Sequence, residues 1–241
     1  GGCVRNSLVG RPVDDLDIAT TLTPDRVTKA LKAAGIRAVP TGIEHGTVTA
    51  VADHLPHEIT TLRRDVSTDG RRATVAFTDD WAEDAQRRDF TLNALYARRD
   101  GSIYDPTGHG VADAKAGRIV FVGDPEQRLR EDHLRNLRFF RFHAWFGRGE
   151  ADAAAVAACA KLKDSIDDLA AERISKELLK LLAADDPRAA IRLLAGTGVL
   201  DVVLKGSANL PRFEALVEIE ADQLCENDPV LRLAALLPDD Q

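Results

Sequence analysis

The opening run GGCVRNSLVGRPVDDLDIATT, residues 1–21, decides how the chain is read. Gly1-Gly2 reads as a turn that follows a strand, and Asp15 to Thr21 is a short β-compatible stretch carrying acids at alternate positions. Side chains two apart on a strand share a face, so Asp15 and Asp17 point together while Asp14 points away. Two carboxylates aimed together repel unless a cation lies between them. Taken alone, the pair also describes a solvated strand edge. The glycines upstream change its meaning, because bare backbone lets N–H groups approach a phosphate, and Arg5 offers a guanidinium to the same group.

Working outward, Thr23-Pro24-Asp25 starts a helix, with Thr as cap, Pro at the first helical position and Asp at the positive end. That helix stops at Gly35. GTVTAVA (46–52) and HEITTL (57–62) are rich in β-branched residues and predict strands joined by a hairpin through Asp53-His54-Leu55-Pro56. Residues 63–80 predict a loop with at most a short strand at 74–77, and residues 83–96 a helix. From Pro125 onward strand signals vanish. Helices are expected at about 125–146, 150–162, 171–184, 187–195, 211–225 and 228–236, with breakers at Gly147, Gly149, Pro187, Gly196, Gly198 and Pro211. The fold class is therefore α+β: an N-terminal head with a mixed sheet and flanking helices (1–123), then an all-α neck (124–185) and body (186–241).

Three further clusters carry chemistry. Glu58 lies in the HEITTL strand, and if that strand neighbours Asp15 and Asp17, three carboxylates converge. Such hard oxygen ligands suit Mg²⁺, which keeps waters and binds substrate phosphates. Two such ions clamp the attacking and leaving oxygens of an in-line phosphoryl transfer. In RRDFTLNAL (87–95), a helix would set Asp89 and Asn93 on one face and Arg88 near its start; a capped amphipathic helix with Phe90 and Leu95 in the core would look the same. In EDHLRNLRFFRF (131–142), Asp132 and Arg135 are i,i+3 neighbours on a helix and together offer an acceptor and a fork of donors to a base edge. Arg138 and Arg141 continue that stripe, drifting about 60° per step. A buried connector held by Asp–Arg pairs is the structural alternative.

Composition sets bounds. The net charge of −7 argues against general nucleic-acid affinity, so RNA contact is expected from local patches: Arg128, Arg130, Arg135, Arg138, Arg141 and Arg148, or Arg63, Arg64, Arg71 and Arg72. Cys3, Cys159 and Cys225 have no metal spacing and predict reduced thiols, hence a cytoplasmic setting. No apolar run is long enough to span a membrane. No histidine falls in a metal motif, and neither GxSxG nor a Walker A loop occurs. The absence of methionine and the opening on Gly1-Gly2 predict a strand ahead of residue 1, and the end after Leu236-Leu237-Pro238 predicts further chain.

The opening run, RRDFTLNAL and EDHLRNLRFFRF, in that order, resemble the motifs of class II tRNA nucleotidyltransferases (CCA-adding enzymes) and bacterial poly(A) polymerases, in the DNA polymerase β-like superfamily. The resemblance covers about residues 1–185. It implies that Asp15 and Asp17 hold two Mg²⁺ ions with Glu58 as the third carboxylate. It also implies that Gly2, Arg5 and Arg88 meet the incoming nucleotide. Asp89 and Asn93 would arrange the sugar or the surrounding motif. Asp132 and Arg135 would select the base of CTP or ATP without a template. Arg138 and Arg141 are read as further nucleotide-binding residues, with Arg141 pointing well away from Asp132, toward RNA or phosphate or into a salt bridge. The implied partner is the tRNA 3′ end, with no obligate protein partner. Asn6 departs from the commoner Asp and puts local salt bridging in question. YDPTGHGVADAKAGRIVFVGDP (104–125) resembles the family's link between head and neck and reads as a hinge. A poly(A) polymerase and a CC- or A-only adding enzyme are the near alternatives, and a non-catalytic RNA-binding relative is the distant one. The length of the 63–80 loop favours competence for the final A.

Overall fold

The computed structural model describes residues 1–13, 15–68, 73–222 and 225–238, and in it the chain opens on a helix rather than a turn. Gly1 is the N-cap of α1, Gly2–Leu8. The turn expected at Gly1-Gly2 is absent because the main chain already closes a helical bond there, from the Arg5 amide to the Gly1 carbonyl at 3.1 Å. The strand expected from Asp15 is also shorter: β1 spans Ile18–Thr20, so Asp15 and Asp17 lie on the approach to it.

Helix α2, Pro24–Ala33, starts at Thr23 with Pro at its first turn and Asp25 at its positive end, and Gly35 follows with φ +72°. Its Val27 is buried where the helix packs on the sheet. That sheet is built from β1, β2 (Arg37–Gly42), β3 (Thr47–Ala52) and β4 (Leu55–Thr61), in the order β1-β4-β3-β2. β1 runs parallel to β4, and the other pairs are antiparallel. Asp53 and His54 turn the β3–β4 hairpin with φ +50° and +64°, the double left-handed geometry of a two-residue connection. Pro40 sits in the edge strand β2, at the register irregularity between Val39 and Gly42, where a missing N–H costs no ladder bond.

Where a loop with at most one short strand was expected, Arg63–Thr68 (β5) and Ala73–Phe77 (β6) pair antiparallel, because backbone pairing accommodates the charged side chains of Arg63, Arg64 and Asp65. Arg71 and Arg72, expected in a basic patch on that loop, lie outside the described residues. The helix expected over 83–96 is in fact α3, Trp81–Gln86, then a 3-10 turn at Thr91–Asn93 and a short strand β7, Tyr96–Ala97. β7 pairs with β8, Ile103–Tyr104. Helix α4 spans Gly110–Ala116.

The backbone divides into two compact units, Gly1–Lys115 and Ala116–Gln241, and the expected neck and body both fall in the second. The second unit is helical: α5 (Pro125–Glu131), α6 (Arg135–Phe146), α7 (Ala153–Lys161), α8 (Ala171–Leu182), α9 (Arg188–Gly196), α10 (Val199–Leu204), α11 (Leu210–Asp222) and α12 (Pro229–Leu236). The fold is thus α+β. The single helix expected over 125–146 is broken, because Asp132 is extended (φ −150°, ψ 106°) and caps the end of α5. Phe139 and Phe140 of α6 are fully buried, with ring centroids 5.2 Å apart and Phe121 5.9 Å from Phe139. Each such side chain stabilises the unit by about 1.5–3 kcal/mol. Arg232 of α12, 2% exposed, donates to the carbonyls of Leu182 and Ala184 and to Glu220 Oε2 at 2.6–2.7 Å, satisfying the orphan carbonyls at the end of α8. Among the described residues no helix is long and apolar enough to cross a membrane.

Candidate active site

The acidic side of the site comes from strand register. Ile18 lies opposite Ile59 at the first rung of the parallel β1–β4 ladder, and Asp17 and Glu58 are the residues just before that rung. On the other flank Glu58 faces Thr49, and Thr60 faces Thr47. The hydroxyls of Thr47 and Thr60 lie 3.1 Å apart, and those of Thr41 and Thr49 2.7 Å apart. Glu58 therefore emerges from a threonine-lined sheet face, while Val48 and Ala50 fill the opposite, buried face. Asp15, Asp17 and Glu58 are all exposed. Among the described residues no group of three acid, histidine or cysteine side chains is placed to hold a metal ion, so the expected convergence of Asp15, Asp17 and Glu58 is not seen. Exposed carboxylates are the hard oxygen donors that suit a cation which keeps its waters and takes its remaining ligands from substrate phosphates.

The phosphate side is assembled from α1 and the RRDFTLNAL segment. A Cβ on Gly1 would stand 3.5 Å from Arg88 Nη1, and one on Gly2 3.6 Å from Arg5 Nη2, so bare backbone lies beside both guanidinium groups. Arg5 is buried, and its Nη1 donates to Asn93 Oδ1. Asn93 Nδ2 in turn donates to Asp89 Oδ1 at 2.9 Å, the oxygen that also accepts the Phe90 amide at 2.8 Å. Asp89 and Asn93 thus meet across a tight turn and not, as expected, along one helical face. Gly2, Arg5, Arg88, Asp89 and Asn93 are brought into one cluster.

Asn6 replaces charge with a second hydrogen-bonding function. Its Oδ1 accepts from Arg5 Nε at 3.1 Å and Nη2 at 2.8 Å, and its Nδ2 donates to the Pro12 carbonyl at 2.9 Å. A carboxylate would keep the first pair and lose the last. Asn6 therefore ties Arg5 to the segment that leads into Asp15.

One residue of this site was not singled out in the sequence. Asp84, 2% exposed, receives the Arg63 amide at 3.2 Å, Arg87 Nε at 3.1 Å, Arg88 Nη2 at 3.1 Å and the Tyr96 hydroxyl at 2.6 Å. Burial by itself raises its pKa, but Arg87 and Arg88, with the Tyr96 hydroxyl, outweigh burial and hold the carboxyl below its ordinary value. Burial also pushes the Tyr96 phenol upward. The Arg88 guanidinium lies over the Tyr96 ring, 5.2 Å from its centroid. The available signal was spacing: one acid followed by arginines three and four residues later.

Residues 105–113, the part of the segment expected as a hinge that lies in the first unit, dock on this cluster. Thr91 Oγ1 donates to the buried Asp113 at 2.7 Å, and a Cβ on Gly110 would collide with the Thr91 carbonyl, so only glycine allows that approach. Asp105 gathers the Gly108 and Val111 amides at 3.1 and 3.0 Å.

In the second unit, the break between α5 and α6 places Asp132 and Arg135. Asp132 Oδ1 accepts the Leu134 amide and Arg173 Nη2, each at 3.2 Å. Arg135 donates to Glu131 Oε2 at 2.7 Å and to the Arg128 carbonyl at 3.1 Å. Arg141 meets Glu177 of α8 at 2.5 Å, with Arg138 at 4.0 Å from the same carboxylate, and both guanidiniums lie over Phe142. Arg141 is thus engaged by an ion pair. Glu131, Arg173 and Glu177 were not singled out from sequence: Glu131 meets Arg135 at i,i+4, and the roles of Arg173 and Glu177 appear only when α8 is laid against α5 and α6. Of the expected basic patch, Arg128 and Arg130 pair with Glu131 and Glu126.

Comparison with known proteins agrees with these motifs. Residues 1–120 match the family described as Poly A polymerase head domain, and residues 152–210 match the family described as Probable RNA and SrmB- binding site of polymerase A. The chain is 41% identical over 220 residues to the mitochondrial CCA tRNA nucleotidyltransferase 1 of Mus musculus, covering 88% of this chain and 50% of that protein. It is 36% identical over 232 residues to the CCA-adding enzyme of Latilactobacillus sakei, covering 95% and 57%. Its fold superposes on the Bacillus stearothermophilus CCA-adding enzyme solved in complex with CTP with a TM-score of 0.73 at 35% identity, over 83% of this chain and 47% of that one. The chain spans about half the length of the curated relatives it matches. With the glycine–arginine opening, the paired acids, the Arg88 cluster and the split α5–α6 motif all in family order, the chain belongs to the family of CCA-adding tRNA nucleotidyltransferases and poly(A) polymerases.

Proposed function

We propose that this chain carries the nucleotidyl-transfer head and base-selecting helices of an enzyme that adds CMP and AMP, from CTP and ATP, to the 3′ end of tRNA without a nucleic-acid template. The observation that carries this reading is the meeting of Arg5, Arg88, Asp89 and Asn93 beside the bare backbone of Gly1 and Gly2. Such a cluster of fixed donors suits a triphosphate and stabilises the departing pyrophosphate by positioning and charge. Asp15 and Asp17, with Glu58, would hold divalent cations, Mg²⁺ by the hardness of the donor oxygens. When bound, those ions supply Lewis-acid activation of the attacking hydroxyl and of the leaving group. Asp132 and Arg135 present acceptor and donor groups to the base edge, each already held by a neighbour, Arg173 or Glu131. Arg138 and Arg141 support that helix face. Relatives named CCA-adding enzymes favour this substrate over poly(A) synthesis, and a cytoplasmic setting accords with the reduced-thiol reading of the cysteines.

The test uses three tRNAs, ending before CCA, after C and after CC, with Mg²⁺ and CTP, ATP or both. Growth to CCA with arrest there is the expected result. Long A tails would make the protein a poly(A) polymerase, and binding of tRNA without any addition would overturn the catalytic reading.

A further inference from the structure

Arg88 lies beside the glycine backbone, and the carboxylate that holds it is buried. Asp84 Oδ2 accepts Arg88 Nε at 3.3 Å and Nη2 at 3.1 Å, and the Tyr96 hydroxyl donates to the same oxygen at 2.6 Å. Arg88 Nη1, on the far side of the guanidinium, donates to the Asn93 carbonyl at 3.3 Å and is the atom that a Cβ on Gly1 would approach. Two edges of a planar group are therefore fixed, which sets the plane and leaves little rotation. Asp84 Oδ1 accepts Arg87 Nε at 3.1 Å and the Arg63 amide at 3.2 Å. Arg63 is the first residue of β5, so one carboxylate joins the base of the β5–β6 hairpin to the arginine pair.

We propose that Asp84 is a positioning residue for nucleotide binding: it aims the Arg88 guanidinium at the triphosphate and, through the Arg63 amide, ties that aim to the placement of the β5–β6 hairpin. This rests on the reading of Arg88 as a phosphate-binding group. Asp84 touches no substrate itself. Its buried position and its charged donors make the arrangement stiff, because the guanidinium cannot swing to solvent without stranding a carboxylate away from water.

Nucleotide and tRNA kinetics on the intact protein separate aiming from mere folding. The variants are Asp84→Asn, Tyr96→Phe, Arg88→Ala and the two doubles that carry Arg88→Ala. Asp84→Asn is expected to raise KM for CTP and ATP about tenfold with KM for tRNA unchanged. Tyr96→Phe keeps the ring under Arg88 and removes one bond to Asp84; it should act in the same direction and less. In the Arg88→Ala background neither second change should move nucleotide KM further. If Asp84→Asn does not fold, the Tyr96→Phe pair of measurements decides alone. Multiplicative effects of Asp84→Asn and Arg88→Ala, or equal rises in nucleotide and tRNA KM, would overturn the proposal. An Arg88→Ala protein with normal nucleotide KM would instead remove the phosphate role of Arg88 itself, and the proposal with it.

Discussion

Ile18 and Ile59 form the first rung of the parallel β1–β4 ladder, and Asp17 and Glu58 each come one residue before it in sequence. Both acids are exposed, so neither contributes to the core. Asp17→Ala should therefore cut transfer by about a thousandfold, the scale of losing several kcal/mol of metal-derived stabilisation. Its melting temperature should stay within about 1–2 °C of the parent, as surface changes lie within roughly 0.5 kcal/mol. Glu58→Gln keeps the shape and loses the charge, and a smaller loss of rate is expected. A single-turnover assay beside a thermal melt checks both, and near-normal transfer by the Asp17 variant would remove it from the reaction.

Asn93 does two jobs at once, accepting from buried Arg5 and donating to Asp89. Asn93→Ala removes the acceptor of the Arg5 Nη1 donor, a loss of about 1–3 kcal/mol, while Asp89 Oδ1 keeps the Phe90 amide. For a chain of this size each kcal/mol lowers the melting temperature by about 2–4 °C. Nucleotide KM should rise along with that drop, because Arg5 loses the partner that fixes it. A variant that melts early yet binds CTP normally would show that Asn93 serves the fold and not the site.

Much of this was legible in residue order, and the misses share a cause. Thr23-Pro24-Asp25 and Gly35 bounded α2 because caps act within a turn of the residue that carries them. The strand itself could be read from its composition, but β1 starts three residues later than expected, so Asp15 and Asp17 fall outside it and strand alternation does not set their side chains. Asp132 escaped because extended backbone in the middle of a helical pattern is decided by the Leu134 amide and by Arg173, 41 residues away. Asp84, Glu177 and Arg232 read as ordinary surface charges; only packing from distant segments buries them. Asp89 and Asn93 were right as a pair and wrong as a helix, since their spacing fits a helical face and a tight turn equally well.

Glu177 anchors α8 to α6 through Arg141 at 2.5 Å, with side-chain exposures of 7% and 16%. Breaking one partner of a buried pair costs about 3–5 kcal/mol, because the other charge is left behind. Glu177→Leu alone should therefore melt well below the parent. Glu177→Leu with Arg141→Met removes both charges and should recover much of that loss. Denaturant titrations of the three proteins check this. Equal stabilities for the single and double variants would show that Arg138, 4.0 Å from Glu177, carries the interaction instead.

The depressed pKa of Asp84 fixes the pH range in which its ion pairs act. Burial alone would raise the pKa; Arg87 and Arg88 more than reverse that, so the folded value lies below the unfolded one. Such a group binds fewer protons when folded, and its contribution is complete above the unfolded pKa of about 3.9 and is lost as pH falls through the lower folded value. The stability gap between the parent and Asp84→Asn should then stay flat from about pH 5 to pH 9 and close only below about pH 4. Tyr96 does not disturb this window, because its phenol is shifted upward, away from it. Melting curves at unit pH intervals measure the gap directly. A gap that begins to close near neutrality would mean that burial prevails over the arginines and that Asp84 is protonated where the enzyme works, leaving Arg88 without the charge that orients it.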